Sequence, residues 1–435
     1  MINPKWERMI EIIKTDVVPA TGCTEPVSLA FAAATAARQL GEPVQSIEAR
    51  VSANLMKNGM GVMVPGTGRP GLYIAAAVGA LGGDPDKGLQ VLNGIAETII
   101  DAGKQMVDAG LVTVDIAREV PNVLYSEALV KGKEHAVKVC IADSHTNVIR
   151  IEKDGNVIFN AEQAEDHTLE EKNAFLNGLS VKEIIEFAEQ VPLEAVKFME
   201  QAELLNDALS KEGLTGKYGL AIGHAMQQKQ DKGFIGNDLM NEVIIRTVAA
   251  SDARMGGAPM PAMTNSGSGN QGISATEPVV VVADYVKASA EDRLRAMVLS
   301  HMMAVYTHSF LPKLSALCAT ITASMGAASG MAWLLDKDHA EQTISYAICS
   351  MTGDAVGMVC DGAANSCSMK VATSVSSAFR SVMLALDNIR VGGDDGLVAY
   401  DVDECIHNVG CLACQGMKAT DDEILNIMLH KNKGC

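Results

Sequence analysis

Cys360 and Cys367 bracket the short polar segment DGAANS, set between two stretches of helical pattern. Glycine permits a tight backbone there, and exposed N–H groups can face inorganic sulfides, so such a loop suits a metal centre. The spacing matches none of the common zinc or ferredoxin patterns, and two thiolates do not complete a site. Cys318, in the small-residue segment SALCATITASMGAASG, is the natural third candidate, because small side chains let another element approach closely. A single buried cysteine can equally be a small hydrophobe, and only the three together suggest a ligand set.

A second group could move protons. Cys23, in PATGCTEP, stands three residues before Pro26 at the expected entrance of an alanine-rich helix. Unpaired N–H groups and the helix dipole there would stabilise a thiolate and lower its pKa, fitting Cys23 as a general base. Glu25 is the rival base, its simpler role being a first-turn carboxylate that complements the same dipole. A third group could hold an anion: NSGSGNQG offers backbone N–H groups, the hydroxyls of Ser266 and Ser268, and the amides of Asn265, Asn270 and Gln271. Asn54, Lys57 and Asn58, around KNGMGVMVPGTG, are weaker candidates of the same kind. Arg69 could add a cation for a carboxylate, against its ordinary reading as a surface arginine.

The segments PATGCTEP (19–26), PGTG (65–68), NSGSGNQGI (265–273), SALCATITASMGAASG (315–330) and CDGAANSCSMK (360–370) together resemble the L-cysteine desulfidase family over nearly the whole chain. The C-terminal half is also similar to the α chain of iron–sulfur L-serine dehydratases. The last two cysteines lie closer together here than in that second family, and Asp361 is followed by Gly362 rather than proline. The resemblance implies a 4Fe–4S cluster held by Cys318, Cys360 and Cys367, with one iron open to bind substrate as a Lewis acid. It implies acid/base work for Cys23, and β-elimination from a small amino acid to give pyruvate and ammonia. A substrate thiolate is a soft ligand matched to iron, which ranks L-cysteine above L-serine. No lysine stands in a context that marks a Schiff base, so pyridoxal phosphate is not expected.

Two other cysteine groups compete. Cys405, Cys411 and Cys414 with His407 form C-x-H-x3-C-x2-C, which could bind zinc or a cluster by itself, although the surrounding sequence reads as a packed helix. Cys435, the last residue, bears a thiol and an α-carboxylate and so mimics cysteine; its tail could cap an open iron. A non-catalytic iron–sulfur redox sensor is the remaining alternative, and it would need no substrate loop.

The elements that must position these groups follow from pattern. Residues 47–56 and stretches around 112–116, 124–130, 136–142 and 148–159 alternate or cluster β-branched residues, with turns at KGKE and KDGN. From Leu169 onward the period is helical, broken by Gly-rich segments at 255–273, 325–330, 360–367 and 391–396. The expected architecture is α+β: a small mixed α/β region over 1–165, then a mainly helical iron–sulfur domain over 166–435. A net charge of −18 argues against nucleic acid, which demands clustered Lys and Arg. The polar N-terminus lacks a signal-peptide core, and Leu314–Leu335 is too rich in Ala, Ser, Thr and Gly to favour a membrane span over a buried helix. A cytoplasmic location follows, and ten cysteines there are read as free thiols or ligands rather than as disulfides. The small-residue helical faces are compatible with a homodimer.

Overall fold

A computed structural model of the chain describes residues 2–118, 120, 122–161, 167–312 and 314–430. The N-terminal part runs through α1 (Pro4–Asp16), β1 (Pro19–Thr21), α2 (Thr24–Leu40), β2 (Ser46–Val51), α3 (Ala53–Gly59), α4 (Leu72–Gly82) and α5 (Glu97–Asp108). Five strands follow: β3 (Val112–Ile116), β4 (Tyr125–Lys131), β5 (Ala136–Ala142), β6 (Val148–Lys153) and β7 (Asn156–Asn160). Thereafter come α6 (His167–Asn177), α7 (Val181–Gln190), α8 (Leu193–Val196), α9 (Glu200–Gly213), α10 (Ile222–Asp231), α11 (Leu239–Met255) and the short β8 (Pro261–Met263). The chain ends with α12 (Gly269–Tyr285), α13 (Ala290–Ser309), α14 (Thr320–Leu335), α15 (Ala340–Ala355), α16 (Cys367–Leu386), α17 (Val402–Cys411) and α18 (Lys418–His430). The α+β expectation holds. The expected boundary at 165/166 lies outside the described residues, as does Cys435.

The sheet has the order β3-β2-β4-β5-β6-β7, antiparallel except for the parallel pair β2 and β3. A parallel pair needs a long crossover, which α3, α4 and α5 supply. In β2, Ile47, Ala49 and Val51 are buried while Glu48 and Arg50 are exposed, the period-2 pattern of a strand with one covered face. The expected strand at 47–56 is shorter, because Ser52 caps α3 by accepting from the Leu55 N–H at 3.3 Å. KDGN makes a two-residue hairpin between β6 and β7, with positive φ at Asp154 and Gly155.

The covering helix α2 is buried on nearly all sides, which its run of alanines permits. Its apolar neighbours from α4 and the sheet form one core, and a larger core joins α7, α12, α13, α14, α15 and α16. Gly326 and Gly330 do not interrupt a helix, as their segment suggested, but lie inside α14. A Cβ on Gly326 would stand 2.3 Å from the Ser300 carbonyl oxygen and one on Gly330 2.9 Å from that of Ala296, so both allow α14 to press against α13. Among the described residues, no helix is long and apolar enough to cross a membrane.

One small element does most to organise the chemistry. β1 pairs antiparallel with β8, Pro19 opposite Met263 and Thr21 opposite Pro261. The backbone continues the tie, with the Thr264 N–H donating to the Val18 carbonyl at 2.9 Å and that of Ser266 to Asp16 at 3.0 Å. The PATGC turn and the NSGSGN loop are thereby clamped side by side.

Candidate functional site

The Cys318 and Cys360 loops are laced together by backbone bonds. The Cys318 N–H donates to the Met358 carbonyl at 3.0 Å and the Cys360 N–H to that of Ala316 at 2.7 Å, around a bridge between Leu317 and Val359. Cys367 opens α16, at the far end of the CDGAANSC loop. Gly362, at φ +96°, is the residue that seats this loop: a Cβ there would stand 2.4 Å from the Lys57 carbonyl oxygen. The three thiols lie near enough for charge on one to raise the pKa of another. Burial first, and then Cys360, pushes the Cys318 thiol up to about 12, and burial with Cys360 also raises Cys367. Lys370, paired with Asp361, and Arg254 oppose the rise at Cys367.

Cys23 occupies the N-cap position of α2, as its distance from Pro26 suggested, although the helix begins two residues before that proline. The expected thiolate is not what the surroundings favour. Cys23 is buried, and its thiol donates to Glu25 Oε2 at 3.0 Å. Burial and the Glu25 carboxylate push its pKa well above the ordinary value, with Arg254 opposing. The helix terminus cannot overcome the removal of water and an adjacent anion. Glu25, itself buried, accepts from Asn58 Nδ2 at 3.2 Å, while Asn58 Oδ1 is buried without a partner. Val62, Met255, Ala363 and Cys367 pack around Cys23, which brings the hydrogen-bonded Cys23 and Glu25 beside one of the three clustered cysteines.

The NSGSGNQG loop divides by role. Asn265 is fully buried and turns into the core: its Nδ2 donates to the His301 carbonyl at 3.0 Å and contacts His301 Nδ1 at 3.2 Å. Ser266, at φ +49°, donates to Asn265 Oδ1 at 2.9 Å. Ser268 precedes α12 without capping it through its side chain, which leaves the first-turn N–H groups of the helix uncapped by a hydroxyl. Asn270 and Gln271 lie in that first turn. Asn270 Oδ1 accepts from Arg254 Nη1 at 3.1 Å and from the Ser251 hydroxyl at 3.2 Å, and Gln271 Oε1 is buried without a partner.

Arg254 is the residue that sequence reasoning missed. It sits in the last turn of α11, where an arginine ordinarily complements the helix dipole from the surface, yet it is only 4% exposed. Arg69, the cation that the sequence suggested, instead forms a two-pronged surface pair with Asp108 at 2.6 and 2.9 Å. Lys57 is buried and bonds Asp421 together with the Cys360 carbonyl, and Asn54 reaches the same Asp421 at 3.4 Å. These two side chains therefore fasten α18 and the Cys360 loop rather than opening toward a ligand. The C-x-H-x3-C-x2-C group is dispersed: Cys405 turns inward to Cys349 with sulfurs 3.4 Å apart, Cys411 meets His407, and Cys414 donates to the Phe310 carbonyl. A cleft of about 2070 Å³ between α1, α13 and the β5–β6 turn touches Ser266 and Gly267, but none of the cysteines lines it.

Comparison with known proteins decides the family. The model of the serine dehydratase alpha chain matches residues 86–426, which include all three clustered cysteines. The chain belongs to the serine dehydratase alpha-chain family. It is also 54% identical over 426 residues to a UPF0597 protein of Chromobacterium violaceum, covering 98% of each chain. With a UPF0597 protein of Yersinia enterocolitica it shares 52% over 428 residues, and with UPF0597 protein YhaM of Salmonella typhimurium 51% over 433 residues, again end to end.

An iron–sulfur cluster is the group that the family resemblance implies, and the donor set fits it. Cys318, Cys360 and Cys367 come from two backbone-bonded loops and sense one another's charge. Among the described residues no three His, Cys, Asp or Glu side chains converge closely enough for a single ion, whereas a polynuclear cluster spreads its thiolates over different irons. The raised thiol pKa values of Cys318 and Cys367 reflect the cost of holding a thiolate there without metal; iron would displace the protons.

Proposed function

We propose that this serine dehydratase-like chain is a lyase that eliminates the β-substituent of a small amino acid, with L-cysteine the preferred substrate and pyruvate, ammonia and hydrogen sulfide the products. The observation that carries the reading is the single chamber formed by Cys318, Cys360 and Cys367 with the hydrogen-bonded pair Cys23 and Glu25.

Cys318, Cys360 and Cys367 would hold a 4Fe–4S cluster, which when bound supplies Lewis-acid stabilisation of the departing β-substituent. The chain's own residues handle the proton and the position. Glu25 accepts the Cys23 proton along the 3.0 Å bond already present, and the thiolate so formed takes the α-proton. Glu25 then gives its proton to the departing sulfide, which leaves as hydrogen sulfide, and Cys23 is again a thiol and Glu25 again a carboxylate. Aminoacrylate leaves, tautomerises to the imine and is hydrolysed to pyruvate and ammonia. Asn58 keeps Glu25 oriented, and the loop that starts α12 offers backbone N–H groups to a carboxylate.

L-serine is the second reading, favoured by the family match. Anaerobic reconstitution with iron and sulfide, followed by pyruvate and sulfide assays on both amino acids, separates the two. Higher kcat/KM with L-cysteine supports the first reading and the reverse order the second. Absence of pyruvate from both, in protein carrying a full complement of iron, would refute the elimination.

A further inference from the structure

Among the described residues, Arg254 is a buried cation without a counter-ion. Among the described residues no carboxylate pairs with it: Nη1 is occupied by the neutral amide of Asn270 at 3.1 Å, and Nε has no partner at all. Burying a guanidinium so incompletely satisfied is costly, and a fold that keeps one there ordinarily meets the charge with something the chain does not itself supply. The guanidinium is pressed against the start of α12, since a Cβ on Gly269 would stand 2.1 Å from Nε; no other residue leaves room for it. Its positive charge opposes the raised pKa of both Cys23 and Cys367, which pack with the adjacent Met255. The orphaned Asn58 Oδ1 belongs to the side chain whose amide donates to Glu25, the partner of Cys23.

We propose that Arg254 binds the α-carboxylate of the substrate at the entrance of α12, while Asn58 Oδ1 receives its ammonium group. A guanidinium presents parallel donors that match a carboxylate, so one such contact fixes both the charge and the orientation of a small zwitterion. Gripped between Arg254 and Asn58, an amino acid presents its α-carbon to Cys23 and its β-substituent toward the three cysteine ligands. The inference rests on the amino-acid elimination reading, yet it concerns recognition and can be tested without turnover.

L-alanine has the same carboxylate and ammonium but a β-methyl that cannot leave, and L-alaninamide lacks the negative charge. Calorimetric titration of both into iron-loaded wild type, R254K and R254M reads the contact directly. Wild type is expected to prefer L-alanine over the amide. R254M should weaken L-alanine by about 10- to 100-fold, the range for a hydrogen bond to a buried charge, with the amide unchanged and the preference erased. R254K, which keeps charge but loses the planar fork, should fall between. A preference for L-alanine that survives in R254M overturns the proposal, as does failure of iron-loaded wild type to bind L-alanine. Loss of iron from both R254K and R254M also overturns it, because the residue would then balance the thiolates instead. Wild-type pyruvate formation is scored separately, so elimination can fail while Arg254 still discriminates the carboxylate, and the reverse.

Discussion

The 3.0 Å hydrogen bond between Cys23 and Glu25 joins two residues that the sequence presented as rivals, and in the proposed elimination the pair would act as a proton relay. The pattern PATGCTEP shows a cysteine at a helix entrance, and from that the dipole argument follows; it does not show that the entrance is sealed by Val62, Met255 and Ala363. Burial reversed the direction of the expected pKa shift. If the relay operates, Glu25→Gln keeps the side chain's size but only one of its two acceptor oxygens and cannot take the proton, and kcat should fall by about 100-fold or more while the iron absorbance is unchanged. Unaltered kcat in iron-replete Glu25→Gln would remove Glu25 from the mechanism. Cys318→Ala, Cys360→Ala and Cys367→Ala should each lose iron and activity together, measured as iron per chain after anaerobic reconstitution. Arg254 was illegible for a related reason: in the last turn of a helix that ends at Met255 before two glycines, an arginine has a sufficient surface explanation, and only the fold shows that it is buried.

At the scale of elements, the cysteine loops were readable because their small and polar residues have few other uses, and the structure adds what holds them. Lys57 of α3 bonds both the Cys360 carbonyl and Asp421 of α18, so a helix distant in sequence steadies the Cys360 loop. Asp421→Asn leaves the buried ammonium of Lys57 without its anion and should cost about 3–5 kcal/mol, the range for breaking a buried pair, with iron retention falling alongside the thermal midpoint. An unchanged midpoint would show that water already serves Lys57. Gly362→Ala combines a positive φ with a 2.4 Å approach to the Lys57 carbonyl; the expected result is a displaced Cys360–Cys367 loop and lower iron occupancy with the sheet signature of circular dichroism intact. The strands of the N-terminal sheet were legible from alternation and the KDGN turn. The 325–330 segment was misread because glycines that let two helices touch look in sequence like glycines that end one.

For the whole molecule, His301 sets an expected pH response. It is buried between Asn265 and Thr276, and the loss of water holds its pKa down at about 3. Above pH 6.5 it is neutral in both folded and unfolded chains. As the pH falls below that value the unfolded chain gains a proton that the folded one refuses, so stability declines through the window from 6.5 to 3, by about 2 kcal/mol at pH 5. Glu277, raised to about 8 by burial, contributes the opposite slope, losing stability as pH rises from 4.5 through 8. Urea midpoints at pH 7 and pH 5 should therefore differ less in His301→Asn than in wild type; equal differences would show that His301 is not the group responsible. The general α+β plan was open to sequence reasoning, since it depends on local periods. The chamber was not, since it depends on β1 meeting β8, two three-residue strands too short to be read from either segment. That pairing joins positions about 240 residues apart. A ribosome adding 5–20 residues per second takes roughly ten seconds to a minute to span the gap. During that interval the emerging Cys23 has no Ser266 loop beside it and Cys318, Cys360 and Cys367 do not yet exist, so the proposed cluster would have to be delivered to a nearly finished chain.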